Sequence, residues 1–216
     1  GHRNTQHGGN MAGRAGRILQ FKVTLKGTNP PVWRRIQVPG DYTFWDLHVA
    51  VQDAIGWLDC HLHQFEILNT RTRHIEYIGI PDEEFASEEE TLPGWKVPVA
   101  RLINSSNATA SYLYDFGDGW EHTIALEKTL VREAQAEYPR CVAGRRKCPP
   151  EDCGGPWGYE DFLEAISDQK HEEHASMLEW IGGEFDPDDF DCGEVIFSDP
   201  HERLADTLGD AGPLGG

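Results

Sequence analysis

The 216-residue chain is long enough for one domain with a hydrophobic core, and its 37 acidic against 19 basic residues give a formal net charge of -18. This charge disfavours direct nucleic-acid binding, because Lys and Arg normally contact the phosphates, and points instead to a protein or small-molecule partner. No apolar run approaches the roughly 20 residues of a membrane span, and the five cysteines are an odd number, typical of reduced thiols or metal ligands. The sequence therefore predicts a soluble cytoplasmic protein that does not use a membrane.

The charge is unevenly distributed and suggests the domain limits. Residues 1–40 carry seven basic and no acidic residues, whereas residues 150–216 carry two basic and 19 acidic ones. Residues 1–16 lack periodicity and begin like a cleaved purification tag, so they are predicted to be a disordered remnant. The expected organisation is a single domain over residues 17–200 and a frayed tail over residues 201–216.

Two strands and a helix open the domain. Alternating apolar residues predict strands over residues 18–25 and 32–38. Apolar residues then recur at helical spacing over residues 43–55, and a glycine follows the last of them. Thr43 and Asp46 stand at the two positions of a capping box. This early ββα unit favours a β-grasp or roll-like arrangement.

Further strands and a hairpin follow. Residues 62–68 and 75–80 are predicted strands, and an acidic loop covers residues 81–94. Residues 111–116 and 120–130 alternate across a Gly-Asp-Gly turn, which predicts a β-hairpin.

Helices gather towards the end of the chain. Residues 159–166 and 171–181 have helical apolar spacing, and residues 195–197 are a candidate last strand. The order of elements predicts an α+β fold in which a mixed or antiparallel sheet carries the C-terminal helices beside it.

Residues of chemical interest crowd into the hairpin and the segment after it. Acids, a histidine and an aromatic residue in this region could bind a ligand if a cleft gathers them, and the candidates are Asp115, Asp118, Trp120, His122 and Asp152. The alternation places His122 on the same strand face as Trp120 and Ile124. A satisfied core histidine is therefore the favoured interpretation of His122.

The cysteines allow a zinc site. Cys148 and Cys153 are spaced at the loose end of the range for zinc knuckles, and Cys141 lies farther out. The fourth ligand could be His122 or Cys192, or a histidine of the His61-Leu62-His63 run. Packing of small buried cysteines is the alternative.

Several motifs together resemble the plasmid pRiA4b ORF-3-like family. They are residues 31–36, 57–63, 114–122 and 148–155, and the resemblance spans residues 18–197. It implies an α+β fold and a relation to proteins of plasmids and mobile elements. It implies no catalytic residues, and a resolvase label carried by some members does not suit a chain with so acidic an end.

The sequence thus favours a non-enzymatic binding or interaction module over two alternatives. One is a metal-dependent hydrolase or nucleic-acid-processing accessory protein, and the other is a domain with a purely structural zinc. The binding hypothesis requires that the turn around Asp118 and the loop of residues 148–155 lie together at one end of the sheet.

Overall fold

The computed structural model describes residues 16–82 and 90–209. Most of the predicted tag remnant, the centre of the predicted acidic loop (residues 83–89) and residues 210–216 lie outside the described residues.

One mixed sheet forms the centre of the fold. In chain order its strands are β1 (Arg17–Leu25), β2 (Val32–Pro39), β3 (His63–Asn69), β4 (His74–Gly79), β5 (Thr91–Pro93), β6 (Thr109–Tyr114), β7 (Trp120–Val131) and β8 (Arg140–Arg145). Their spatial order is β5-β4-β3-β6-β7-β1-β2-β8. Neighbours pair antiparallel except β4 and β5, which pair in parallel. The predicted hairpin is β6 and β7, with Tyr114 opposite Trp120.

Helices pack beside this sheet. They are α1 (Phe44–Ile55), α2 (Gly155–Ser167), α3 (His174–Ile181) and α4 (Pro200–Leu208). Helix α1 packs against β2 and α4, and α2 packs against α3. The α+β fold is confirmed, whereas the β-grasp detail is not. None of the helices within the described residues is both long and apolar enough to cross a membrane.

Local signals set both ends of α1. The Thr43 hydroxyl accepts a hydrogen bond from the Asp46 backbone N–H (3.2 Å), and the Asp46 carboxylate accepts one from the Thr43 N–H (3.0 Å), which confirms the capping box. Gly56 ends the helix in the left-handed region (φ 112°), which a glycine adopts without strain. The chain then enters the loop that carries His61.

Two predictions for the C-terminal region are wrong. Residues 195–197 form no strand; Val195 and Phe197 pack against the core without regular structure. Residues 201–208 are not frayed but belong to α4, because Asp199 caps the helix by accepting from the His201 N–H (2.8 Å).

Helix α4 is held to α1 by polar contacts. The Arg203 guanidinium donates to Asp53 (3.1 Å) and Asp59 (2.7 Å). The Trp45 indole N–H donates to the carbonyl of Pro200 (2.8 Å). These long-range partners stabilise a helix that its own sequence does not predict.

A buried arginine joins several elements of the fold. Arg34 is 1% exposed, and its guanidinium donates to four carbonyl oxygens, those of Ala54, Ile55, Trp33 and Arg145. Its charged plane stacks 3.5 Å from the centre of the Phe190 ring. Burial lowers the pKa of Arg34 to about 10, so it remains a cation.

Candidate functional site

A cleft of about 520 Å³ opens at one end of the sheet, where two loops and α4 meet. Its walls are residues 59–62 after α1, Ile80 after β4, residues 115–117 in the β6–β7 turn, and Thr207 of α4. Segment 146–154, which precedes α2, adds the carboxylates of Glu151 and Asp152 beside it.

The β6–β7 turn aims one carboxylate oxygen at this cleft. Asp115 adopts a left-handed backbone (φ 60°), which Asp tolerates better than most residues. Its Oδ1 accepts from the N–H groups of Gly117 (3.1 Å) and Asp118 (3.2 Å). Its Oδ2 therefore remains free to face His61 Nε2, at 3.5 Å, and the Asp115 side chain is only 9% exposed.

The two carboxylate oxygens of Glu151 also differ in their hydrogen bonds. Oε1 accepts from the Leu58 N–H (2.9 Å) and from the Tyr114 hydroxyl (3.0 Å). Oε2 is buried without a hydrogen-bond partner and lies 4.0 Å from His61 Nε2. A buried oxygen left unpaired in this way is costly and marks a place where a partner is expected.

Tyr114 holds the neighbouring groups in position. Besides donating to Glu151, its hydroxyl accepts from the Cys60 N–H (3.1 Å). Burial, with the adjacent Cys60 and Glu151, raises the pKa of Tyr114, so the hydroxyl keeps its proton and remains a donor.

Three carboxylates thus converge on one imidazole nitrogen. Asp152, at φ 59°, completes the group with its Oδ1 2.8 Å from His61 Nε2. Two overlapping sets could hold a metal ion, with ligand atoms within 4.8 Å of one another: His61, Asp115 and Asp152, and Cys60, His61 and Glu151. Imidazole, carboxylate and thiolate together suit a divalent transition metal such as zinc.

Asp118 joins the turn to the segment that carries Glu151. Its Oδ2 accepts from the Gly154 N–H (3.2 Å), and its carbonyl oxygen lies so close to Gly155 that no Cβ would fit there. The predicted contact between the Asp118 turn and the loop of residues 148–155 is confirmed. Of the predicted ligand-binding residues, Asp115, Asp118 and Asp152 therefore lie together.

Trp120 and His122, the other two predicted ligand-binding residues, lie in the core at 0% exposure. His122 Nε2 accepts from the Trp57 indole N–H (3.1 Å), and Nδ1 donates to the carbonyl of Tyr112 (3.1 Å). Burial lowers the pKa of His122 to about 4. Both nitrogens are in use, which confirms the interpretation of a satisfied core histidine and leaves none for a metal.

The predicted cysteine ligands are not gathered around His122. Cys141 lies on β8, whereas Cys148 and Cys153 lie on segment 146–154. These three thiols do not form a metal-binding set with each other or with His122 in the described ranges. All three pack against the hydrophobic core.

Burial also keeps these thiols protonated. It raises the pKa of Cys141 to about 11 and that of Cys153 to about 12, and it raises the pKa of Cys148 well above its usual range. Protonated thiols that pack against the hydrophobic core fit the interpretation of structural packing of the cysteines.

The two histidines of the His61-Leu62-His63 run separate. His63 is 3% exposed and stacks on His48 with ring centres 3.4 Å apart. His61 alone faces the cleft. The partnership of His61 with Glu151 and Asp152 was not anticipated, because 91 positions separate His61 from Asp152 and no spacing rule connects them.

Comparisons with known proteins match one family model and two related proteins. The model of the plasmid pRiA4b ORF-3-like protein family matches residues 17–194. A Sinorhizobium fredii (strain NBRC 101917 / NGR234) protein named "Uncharacterized protein y4hQ" is 38% identical over 190 residues, covering 88% of this chain and 91% of its own. The crystal structure of a "Protein of Unknown Function", MM3350 from Methanosarcina mazei Go1, is 42% identical with a TM-score of 0.78, covering 84% of this chain and 98% of its own.

Proposed function

The chain belongs to the plasmid pRiA4b ORF-3-like family, and from the arrangement around His61 we propose that it is a binding module for one divalent transition-metal ion. The ligands are His61, Asp115, Glu151 and Asp152. The observation that carries the proposal is Glu151 Oε2, a buried carboxylate oxygen without a hydrogen-bond partner, 4.0 Å from His61 Nε2.

Charge supports a cation at this place. Three carboxylates surround a single imidazole, and a neutral imidazole is the form that binds a metal. The three acidic groups repel one another where they converge on His61, and a divalent ion would offset that repulsion. The acidic surroundings also make an anionic ligand unfavourable here.

Ligand geometry supports an ion of the size of zinc or manganese. Ligand atoms about 2.1 Å from a tetrahedral zinc lie roughly 3.4 Å apart. The ligand atoms of His61, Asp115 and Asp152 already lie within 4.8 Å of one another, and Glu151 Oε2 lies 4.0 Å from the same nitrogen of His61, so side-chain rotations would bring the four ligands to this spacing. One oxygen of Asp115 and one of Glu151 are already fixed by backbone N–H groups, which reduces the entropy lost when the ion binds.

A second candidate function is a metal-dependent hydrolase. The feature that favours it is the 520 Å³ cleft, which leaves room for a substrate beside the ion. Hydrolysis that requires the metal and is lost in Glu151→Gln would support this alternative, which also depends on the metal site.

Metal content and affinity test the proposal. Protein purified without added metal is analysed for its elements, stripped with a chelator and titrated calorimetrically with Zn²⁺ and Mn²⁺. We expect one ion per chain and at least about a tenfold loss of affinity in His61→Gln and Glu151→Gln. Glu151→Gln keeps the oxygen that accepts from Leu58 and removes only the charge, so it is the sharper variant.

Two controls separate this site from the alternatives. His74→Gln removes an exposed histidine of β4 and should leave binding unchanged. The Cys148→Ser, Cys153→Ser double variant should also retain the ion. Loss of zinc from the cysteine variant alone would favour the cysteine-ligated structural zinc, and absence of binding in the unaltered protein would refute both metal sites.

A further inference from the structure

A second pocket, of about 270 Å³, lies between α2 and α3. Its apolar walls include Phe162, Met177 and Trp180. Asp152, Asp161 and Glu173 supply carboxylates at its lining, and none of its lining residues is basic. The pocket therefore combines an aromatic surface with negative charge, the pairing that binds organic cations.

The aromatic wall is fixed but accessible. Trp180 is 48% exposed and packs edge-on against Phe162, with ring centres 5.8 Å apart and planes at 75°. Phe162 is 3% exposed and is held in turn by Tyr159 and Phe185. The Trp180 ring thus keeps a defined position while part of its surface remains open to a partner.

A second exposed tryptophan extends this surface. Trp157 on α2 is 82% exposed and lies four positions before Asp161, which makes the two side chains neighbours on the helix. Tryptophan is enriched among the residues that dominate protein–protein binding energy. Two such residues beside one acidic pocket indicate a protein-binding surface.

The carboxylates of this surface are available to a partner. Asp161 and Glu173 form no ion pair with any residue in the described ranges. The region around them is strongly acidic, since residues 150–216 carry 19 acidic and two basic residues. Such a field attracts a basic segment and speeds its association.

We propose that the α2–α3 pocket is the docking site for a basic segment of another polypeptide, which inserts one arginine side chain. The planar guanidinium stacks on the Trp180 ring and donates to the carboxylates of Asp161 and Glu173. Arginine suits the pocket better than lysine, because its planar fork can stack and pair with a carboxylate at once. This pocket adjoins the proposed metal site and shares Asp152 with it, but the arginine pairs with Asp161 and Glu173, so docking does not require the metal.

Fluorescence anisotropy with a labelled peptide tests the proposal. The probe alternates arginine with glycine and serine, and the matched peptide carries lysine in place of arginine. We expect Trp180→Ala to weaken binding of the arginine peptide about tenfold, and the lysine peptide to bind the unaltered protein several-fold more weakly. Asp161→Asn with Glu173→Gln should weaken the arginine peptide by a similar factor or more.

Matched controls distinguish the pocket from general attraction between opposite charges. Glu160→Gln with Glu164→Gln removes the same charge from exposed positions of α2 outside the pocket and should change affinity less than twofold. Circular dichroism melting verifies that each variant is folded. If Trp180→Ala proves unstable, the double variant Asp161→Asn, Glu173→Gln still tests the pocket, because both of its substitutions are at exposed positions.

Three results would overturn the proposal. They are equal losses in the pocket and control variants, equal affinity for the two peptides, and no binding of the arginine peptide to the unaltered protein.

Discussion

The protein should lose stability as the pH falls from 6.5 to 4, and replacing His122 with glutamine should remove about 3 kcal/mol of that loss. His122 is fully buried and accepts from Trp57 through Nε2, so it folds as a neutral imidazole. Its pKa is about 4 in the folded chain, against 6.5 for an ordinary histidine. Glutamine retains hydrogen-bonding capacity at this position but binds no proton in this range.

The sign and size of the effect follow from proton linkage. Below pH 6.5 the unfolded chain protonates His122 while the folded chain does not, so stability is lost as pH falls towards 4 and the loss levels off below that. A difference of 2.5 pKa units, from 6.5 to about 4, corresponds to about 3 kcal/mol. The same burial lowers the pKa of His48 and His63, which add to the acid sensitivity in the same direction.

Urea unfolding across this pH range measures the effect. The difference in unfolding free energy between the unaltered protein and His122→Gln should be largest near neutral pH and shrink by about 3 kcal/mol towards pH 4. The carboxylates titrate in both proteins, so their contribution to the pH dependence cancels in this difference. His74→Gln, at an exposed position, is the control for loss of an imidazole. A difference that stays constant over the whole range would refute the assignment of His122 as a neutral core histidine.

Three further predictions concern stability and the metal site. Arg34→Met should lower the unfolding free energy by about 3 kcal/mol or more in urea, because four buried carbonyl oxygens lose their charged donor. Gly158→Ala should cost about 1–3 kcal/mol although alanine normally favours a helix, since the new Cβ would collide with the carbonyl oxygen of Cys153. Gly117→Ala meets its nearest atom at 3.4 Å and should change stability far less. Tyr114→Phe removes the hydroxyl that fixes the buried glutamate and should lower Zn²⁺ affinity by roughly tenfold in calorimetry.

Each of these predictions has a result that would contradict it. A mild effect of Arg34→Met would mean that the buried charge costs nearly as much as its hydrogen bonds contribute. Equal stability of the two alanine variants would show that α2 shifts to accommodate a side chain. Unchanged Zn²⁺ affinity in Tyr114→Phe would mean that the glutamate needs no positioning.

The parts of the fold encoded by short-range signals were predictable. The Thr43 and Asp46 capping box forms α1 as expected, because both partners lie within one helical turn. The alternation through β7 placed His122 in the core, since successive side chains in a strand point to opposite faces. Such signals need no knowledge of the rest of the chain.

The candidate site and α4 depend on long-range contacts. His61 and Asp152 lie 91 positions apart, and Arg203 pairs with Asp53 across 150 positions. The local sequence of either segment does not identify the residue with which it pairs. The cysteines attracted a zinc interpretation because their spacing is visible in sequence, whereas the burial that keeps their thiols protonated is not.

The docking of α4 bears on where the protein can be shortened for laboratory production. The family model ends at residue 194, and that limit would be a natural choice for a truncated clone. Cutting there would remove Arg203, leave Asp53 and Asp59 without their shared cation, and take Pro200 away from the Trp45 indole. It would also remove Thr207 from the lining of the His61 cleft. A shortened version intended to report on metal binding should therefore retain the chain through Leu208.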